Sequence, residues 1–253
     1  MTKISHISCV MIVKDAEATL KNVLDALIGF QEVIVYSNNS TDTTDKIAAS
    51  YSNVKLIQGD FIGFGPTKNL AATYATNNWI FSLDSDEVIS NEFIRNLANV
   101  ELNTNYVYSI LRTNFYKQRQ IKHCWADDEI IRIYNKETTA FTDKHVHEHI
   151  IQKDLQLGKI TGRVKHYPYT SIEGFINKAN TYSTLFAQNN VGKKSSSPFK
   201  AFLNGAYSFL KTYIFKQGFR DGYIGLIIAY SHMVTNFYKY IKLYELNKEL
   251  KLK

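Results

Sequence analysis

The strongest constraint on this chain lies in residues 1–90, where four strand-length apolar runs alternate with segments of helical spacing. The runs are residues 7–13 (ISCVMIV), 32–36 (EVIVY), 54–57 (VKLI) and 79–83 (WIFSL), and each stops at a polar cluster. After the first, Leu20, Val23, Leu24 and Leu27 recur with the period of an amphipathic helix over residues 18–27. A second helix is expected over residues 44–49, behind the capping types Ser40, Thr41 and Asp42. A third is expected from Pro66 or Thr67 to Ala75, with proline near its first turn. Strands this apolar that alternate with helices predict an α/β fold with a mostly parallel sheet covered on both faces. Ligands in such sheets bind beyond the C-terminal strand ends. The clusters at residues 14–15, 37–42, 63–69 and 84–87 all fall there, so they are expected to line one crevice.

Beyond Ser90 the pattern changes. Residues 106–111, 130–134 and 162–166 read as strands, and from Ser171 onward the chain reads as helical. The 253 residues suffice for one core with a smaller appended part. Charge divides the same way. Residues 1–150 carry 14 Lys and Arg against 18 Asp and Glu, whereas residues 151–253 carry 16 against 5. A basic C-terminal part suits an anionic partner: nucleic acid or an anionic membrane. Residues 222–238 form the longest uncharged stretch, too short and too polar for a spanning helix, and suit an interfacial or a packed helix. Cys9 and Cys124 are too few for a disulfide framework or a four-thiolate metal site. The N-terminus lacks the apolar core of a secretory signal. A reducing, cytoplasmic setting is expected.

Asp84-Ser85-Asp86 is the sharpest motif. Two carboxylates spaced D-x-D at a strand end can share a hard divalent cation, Mg²⁺ or Mn²⁺, that bridges diphosphate oxygens. In a random surface loop the same residues would only be solvated. Asn38 to Asp42 could hold a base or ribose by hydrogen bonds, or simply form a capping turn, which uses the same residue types. Lys68, at the start of a helix behind the glycines of GFGP, could reach a phosphate or orient the loop. Asp127-Asp128-Glu129 precedes an apolar run and offers a general base, against the alternative of a solvated loop. Arg132 follows it in the strand and suits an acid or an anionic ligand. His145, His147 and His149 have zinc-like spacing but lack an indicated fourth ligand, so a single histidine, His147, is favoured for contact with a metal or diphosphate.

Together these segments resemble an inverting GT-A glycosyltransferase of family 2, and within it the bacterial lipopolysaccharide or lipooligosaccharide core β-glucosyltransferases. The resemblance rests on ISCVMIVKDAE, EVIVYSNNSTDTT, GFGPTKN, WIFSLDSDEVIS, Trp125…Asp128…Arg132, VHEHI, YSTLFA and GFRDGYIG, in order along nearly the whole chain. It implies a GT-A catalytic domain over residues 1–165 and a helical, membrane-facing extension over residues 166–253. It implies a UDP-hexose donor, UDP-glucose or UDP-galactose, with Val13, Asn38, Asp42, Lys68, Asp84 and Ser85 on the nucleotide-sugar side. It further implies Mn²⁺ or Mg²⁺ on Asp86 with His147, Asp128 as the catalytic base, and Arg132 and Glu148 nearby. The implied acceptor is a membrane-anchored lipopolysaccharide core sugar, reached by a peripheral enzyme on the inner face of the cytoplasmic membrane. One departure stands out: Ser37 occupies the position where the family usually has an aspartate for the uracil. A nucleic-acid-binding protein would leave Asp84 and Asp86 unexplained and has no matching signature. A catalytically inactive scaffold, or a binder of anionic polymers, is the remaining alternative.

Overall fold

Strand β1 (Ser8–Val13) is buried along almost its whole length, because it pairs in parallel with a strand on each side and carries side chains into a core on each face. Cys9, Met11 and Val13 pack with Leu20, Val23 and Leu24 of α1 (Leu20–Ala26) and with Phe81. The intervening Val10 packs on the opposite face with Ile34, Ile80, Ala71 and Ala72. This period-two division of apolar residues between two cores is why the run reads as continuous in the sequence. The computed structural model describes residues 2–143 and 148–252.

The first half alternates as expected: β2 (Val33–Ser37), α2 (Thr44–Ala49), β3 (Val54–Gln58), α3 (Phe64–Thr73) and β4 (Trp79–Ser82) follow β1 and α1. Helix α3 starts earlier than expected, with Gly63 at φ 109° immediately before it, so Pro66 sits inside its first turn. The strands β5 (Glu87–Ile89), β6 (Tyr106–Tyr116), β7 (Arg119–Gln120), β8 (Asp128–Asn135) and β9 (Gln156–Tyr169) follow, with α4 (Asn91–Asn99) between β5 and β6. The sheet order is β3-β2-β1-β4-β8-β6-β9-β5. The β3-β2-β1-β4 half is parallel, whereas β8 joins β4 antiparallel and carries β6 antiparallel on its far side. The result is a mixed sheet flanked by helices and followed by a helical C-terminal region, the GT-A-like arrangement that the resemblance implies. Strand β9 is much longer than the expected residues 162–166, because its exposed, lysine-bearing stretch hides the pattern.

The chain forms two compact units. The first comprises Met1–Thr113 and Asp127–His166, and the second Asn114–Ala126 and Tyr167–Lys253. The second unit holds α5 (Ile172–Asn190), α6 (Pro198–Leu210) and α7 (Tyr223–Leu252), with a π-helical turn at Lys211–Phe215 and a 3₁₀ turn at Gly218–Asp221 between α6 and α7. Ser171 and Ser197 cap α5 and α6, each accepting from a backbone N–H of the first turn. Asp221 ties this unit together. Its carboxylate accepts from the N–H groups of Lys122, His123 and Cys124 at 2.9–3.1 Å and contacts His123 Nδ1 at 2.9 Å. Burial raises its pKa, but the Cys124 N–H and the His123 ring outweigh that and leave it at about 2. Residues 222–238 prove to be two-faced. Ile224, Ile228 and Ala229 are buried, while Tyr223, Leu226 and Tyr230 are exposed.

Candidate active site

The polar clusters at the strand ends are stitched together in pairs. Asp15, held at φ 48°, accepts from the Thr41 N–H at 2.7 Å, and Ser40 Oγ accepts from the Asp15 N–H at 3.2 Å. Asp42 accepts from the Glu17 N–H at 3.1 Å and from the Thr44 N–H at 2.9 Å, so its carboxylate holds the turn that starts α2. Val13 ends β1 opposite Ser37, and its carbonyl accepts the Asn38 N–H at 2.8 Å. Ser37 is buried, with its hydroxyl on Ser40 Oγ at 3.0 Å. Asn38 is only 6 % exposed, and its side-chain Oδ1 is a buried acceptor with no donor among the described residues.

Around the D-x-D motif lies a chain of alternating charges. Lys68 Nζ, in the second turn of α3, donates to Asp84 Oδ1 at 3.1 Å and to Glu148 Oε1 at 2.9 Å. Asp84 Oδ2 accepts a hydrogen bond from Arg132 Nη2. The same guanidinium nitrogen donates to Glu87 Oε1 at 2.8 Å, and Glu87 Oε2 accepts the Asp84 N–H at 3.0 Å. Arg112 Nη1 also donates to Glu87 Oε1, at 3.1 Å. The rest of the Arg112 fork grips Asp128, Nε to Oδ1 at 3.1 Å and Nη2 to Oδ2 at 2.7 Å. One network thus runs from Glu148 to Asp128, with the Glu87 side chain fully buried at its centre. Burial pushes the Asp84 carboxyl up, but the Arg132 guanidinium and the Lys68 ammonium prevail and hold it far below the usual carboxylate range.

The local folding explains the convergence. On β8, Ile130 and Ile133 face one core while Ile131 and Tyr134 face the other, so the alternation slips by one residue at Arg132. The pairing slips at the same place: Ser109 opposes Ile131 and Tyr108 opposes Ile133. Such a bulge re-aims a side chain, here into the acidic centre of the site. Next to Lys68 on α3, Asn69 clamps the Phe141 backbone, donating from Nδ2 to its carbonyl at 2.9 Å and accepting its N–H at 2.8 Å.

Of the expected residues, Lys68, Asp84, Asp128, Arg132 and Glu148 therefore fall in one network, whereas Val13, Asn38 and Asp42 lie with the β1 and β2 ends. Ser85 is half-buried in the turn after β4. Asp86 stands apart from the network and pairs with His166 Nε2 at 3.5 Å. His147, like His145, lies outside the described residues. Trp125 belongs to the second unit, where it stacks on Tyr169 and Phe175. Arg112 carries no signal of its own in the sequence, as an isolated cation inside a strand, because only the β6–β8 register puts it opposite Asp128. Glu87 was legible only as the tail of an acidic cluster.

Among the described residues no three His, Cys, Asp or Glu side chains gather as a self-sufficient metal cage. Both oxygens of Asp84 are taken by cations, which leaves Asp86 as the carboxylate of the motif suited to a hard ion. Magnesium commonly binds through one or two carboxylates plus substrate phosphates and water, so this donor set fits a cation that arrives with a diphosphate.

Comparison with known proteins finds relatives over almost the whole chain. An uncharacterized glycosyltransferase of Rickettsia typhi is 30% identical over 257 aligned positions, covering 95% of this chain and 87% of the relative. A lipopolysaccharide core biosynthesis glycosyltransferase, LpsC of Rhizobium meliloti, is 22% identical over 94% of this chain and 92% of its own. Among solved structures, S. aureus TarS (residues 1–349) in complex with UDP-GlcNAc aligns over 97% of this chain and 91% of its own, at 13% identity and a TM-score of 0.46. The model of glycosyl transferase family 2 matches residues 8–155, the part that holds every residue of the charged network, and this chain belongs to that family.

Proposed function

We propose that this chain is an inverting glycosyltransferase that moves a hexose, glucose in the first instance, from a UDP-sugar to a core sugar of a membrane-anchored lipopolysaccharide-type glycolipid. The observation that carries this reading is the network joining the D-x-D motif to Asp128 within a family 2 domain. The buried acceptor Asn38 Oδ1 suits the N3–H of a uracil and offsets the absence of an aspartate at Ser37. Asp86 would hold the divalent cation, which supplies charge neutralisation for the departing diphosphate. His147 is retained as a candidate second ligand.

Asp128 keeps 40% of its side chain exposed and so can meet an acceptor hydroxyl. In this reading its carboxylate takes the hydroxyl proton as the acceptor oxygen bonds to the anomeric carbon. The bond from that carbon to the diphosphate oxygen breaks, and UDP leaves with the electron pair, inverting the configuration. Lys68 and Arg132 hold Asp84 ionised at the sugar-nucleotide side. The membrane-bound acceptor is supported by the second unit: Phe199, Phe202, Tyr207, Phe215, Phe219 and Tyr223 are all more than half exposed, among Lys200, Lys211, Lys216 and Arg220. Aromatic and cationic side chains together suit an anionic lipid interface, on the cytoplasmic side in this proposal. No described helix is long and apolar enough to cross a membrane.

UDP release from a panel of UDP-sugars, with Mn²⁺, Mg²⁺ or EDTA, tests the donor half of this reading. Slow hydrolysis of one UDP-hexose, abolished by EDTA and by Asp86→Asn, is expected. Failure of every UDP-sugar to bind or turn over would overturn it in favour of a scaffold. Transfer to lipooligosaccharide truncated at the inner core tests the acceptor half.

A further inference from the structure

We infer that Arg112 is a positioning residue for Asp128: its guanidinium fixes the carboxylate in the orientation from which it removes the acceptor proton. The inference rests on the reading of Asp128 as the base. Arg112 and Asp128 are directly opposed on the antiparallel strands β6 and β8, so the sheet itself sets their separation. Two parallel N–H donors engage the two carboxylate oxygens, a geometry that fixes the plane of the acid as well as its place. Terminal carboxylate torsions are otherwise broad, so an unclamped Asp128 would sweep its lone pairs through many directions.

Arg112 is itself held, which separates this pair from an ordinary surface ion pair. Its third nitrogen, Nη1, is bonded to Glu87, whose fully buried carboxylate also receives Arg132 and the Asp84 N–H. The sheet and a buried acid therefore fix the fork, and the fork fixes Asp128. The clamp takes one lone pair on each Asp128 oxygen and leaves the others for a hydroxyl. Glu87 also gives the donor-side Asp84 and the acceptor-side Asp128 a common anchor. Positioning of this kind matters because a misplacement of about 1 Å costs on the order of 100-fold in rate.

The test reads UDP release, with water or sugar as acceptor, in wild type, Asp128→Asn, Arg112→Gln, Arg112→Lys and the double variant Asp128→Asn/Arg112→Gln. Arg112→Gln is expected to lower kcat about 100-fold with the donor KM changed less than about 2-fold. Arg112→Lys keeps the charge but not the fork, and an intermediate loss is expected. Because Arg112 acts through Asp128, Arg112→Gln should cost nothing further in the Asp128→Asn background. A purely structural role would lower the double variant as well, or would be rescued fully by lysine, and either result would overturn the inference. So would wild-type kcat in Arg112→Gln. If Asp128→Asn itself turns over at the wild-type rate, the assignment of the base fails instead. Thermal melts of each variant identify any that do not fold, and Arg112→Lys then carries the comparison.

Discussion

Lys68 and Asp84 form a hydrogen-bonded ion pair at 3.1 Å in which the lysine is almost wholly buried and its second partner is Glu148, eighty positions away. An ammonium so enclosed is stable only because two carboxylates meet it, and they in turn depend on it. Lys68→Met should therefore destabilise the fold by about 3 kcal/mol in urea unfolding, by leaving Glu148 without its cation. UDP-sugar turnover should fall as well. Unchanged stability would mean that solvent serves both acids equally well.

Asn38 makes the opposite prediction for stability. Its Oδ1 is buried without a donor among the described residues, a cost that a bound nucleotide base would relieve. Asn38→Ala should weaken UDP binding about 10-fold by titration calorimetry while leaving the melting temperature of the free protein unchanged or raised. Undiminished UDP affinity would remove Asn38 from the nucleotide site.

In the second unit, Gly225 lies against the Gly218 carbonyl so closely that an added Cβ would stand 1.8 Å from that oxygen. Asp221 lies next to the same contact, its Cβ 3.1 Å from the added atom. Gly225→Ala should cost about 3 kcal/mol or more, because a backbone neighbour cannot rotate away. A denaturation midpoint equal to wild type would show that the 3₁₀ turn at Gly218–Asp221 yields freely.

His232 gives the fold a pH dependence of known sign. Burial first, and then Lys216, Lys239 and Lys211, lower its pKa to about 4, while its Nδ1 lies 2.9 Å from Thr212 Oγ1 and its ring against Trp125. Between about pH 6.5 and 4 the unfolded chain binds a proton that the native chain refuses, so acidification through that window removes stability, by up to about 3 kcal/mol. His232→Gln should flatten that part of the urea-unfolding profile measured from pH 7 to pH 4.5. An equal slope in both proteins would assign the loss to other groups.

The parallel half of the sheet and its helices were legible because β1, β2 and β4 are buried on both faces, and burial on both faces writes itself as uninterrupted apolar residues bounded by polar turns. The D-x-D motif was legible for a related reason: its carboxylates follow directly on such a strand, where an open α/β sheet binds its ligands. Strand β5 and helix α4 were not, since three residues carry no period and only Ser90, the cap of α4, separates the two.

The charged network was beyond the sequence for a geometric reason. Arg112 meets Asp128 only through strand register, Arg132 reaches Asp84 only through a bulge, and Glu148 finds Lys68 only after the intervening chain has folded back. Local composition fixes which segments become strands and where their polar ends must lie, because backbone periodicity and burial are short-range properties. Which cation meets which carboxylate depends on the pairing of strands distant in sequence, and tertiary structure alone decides that.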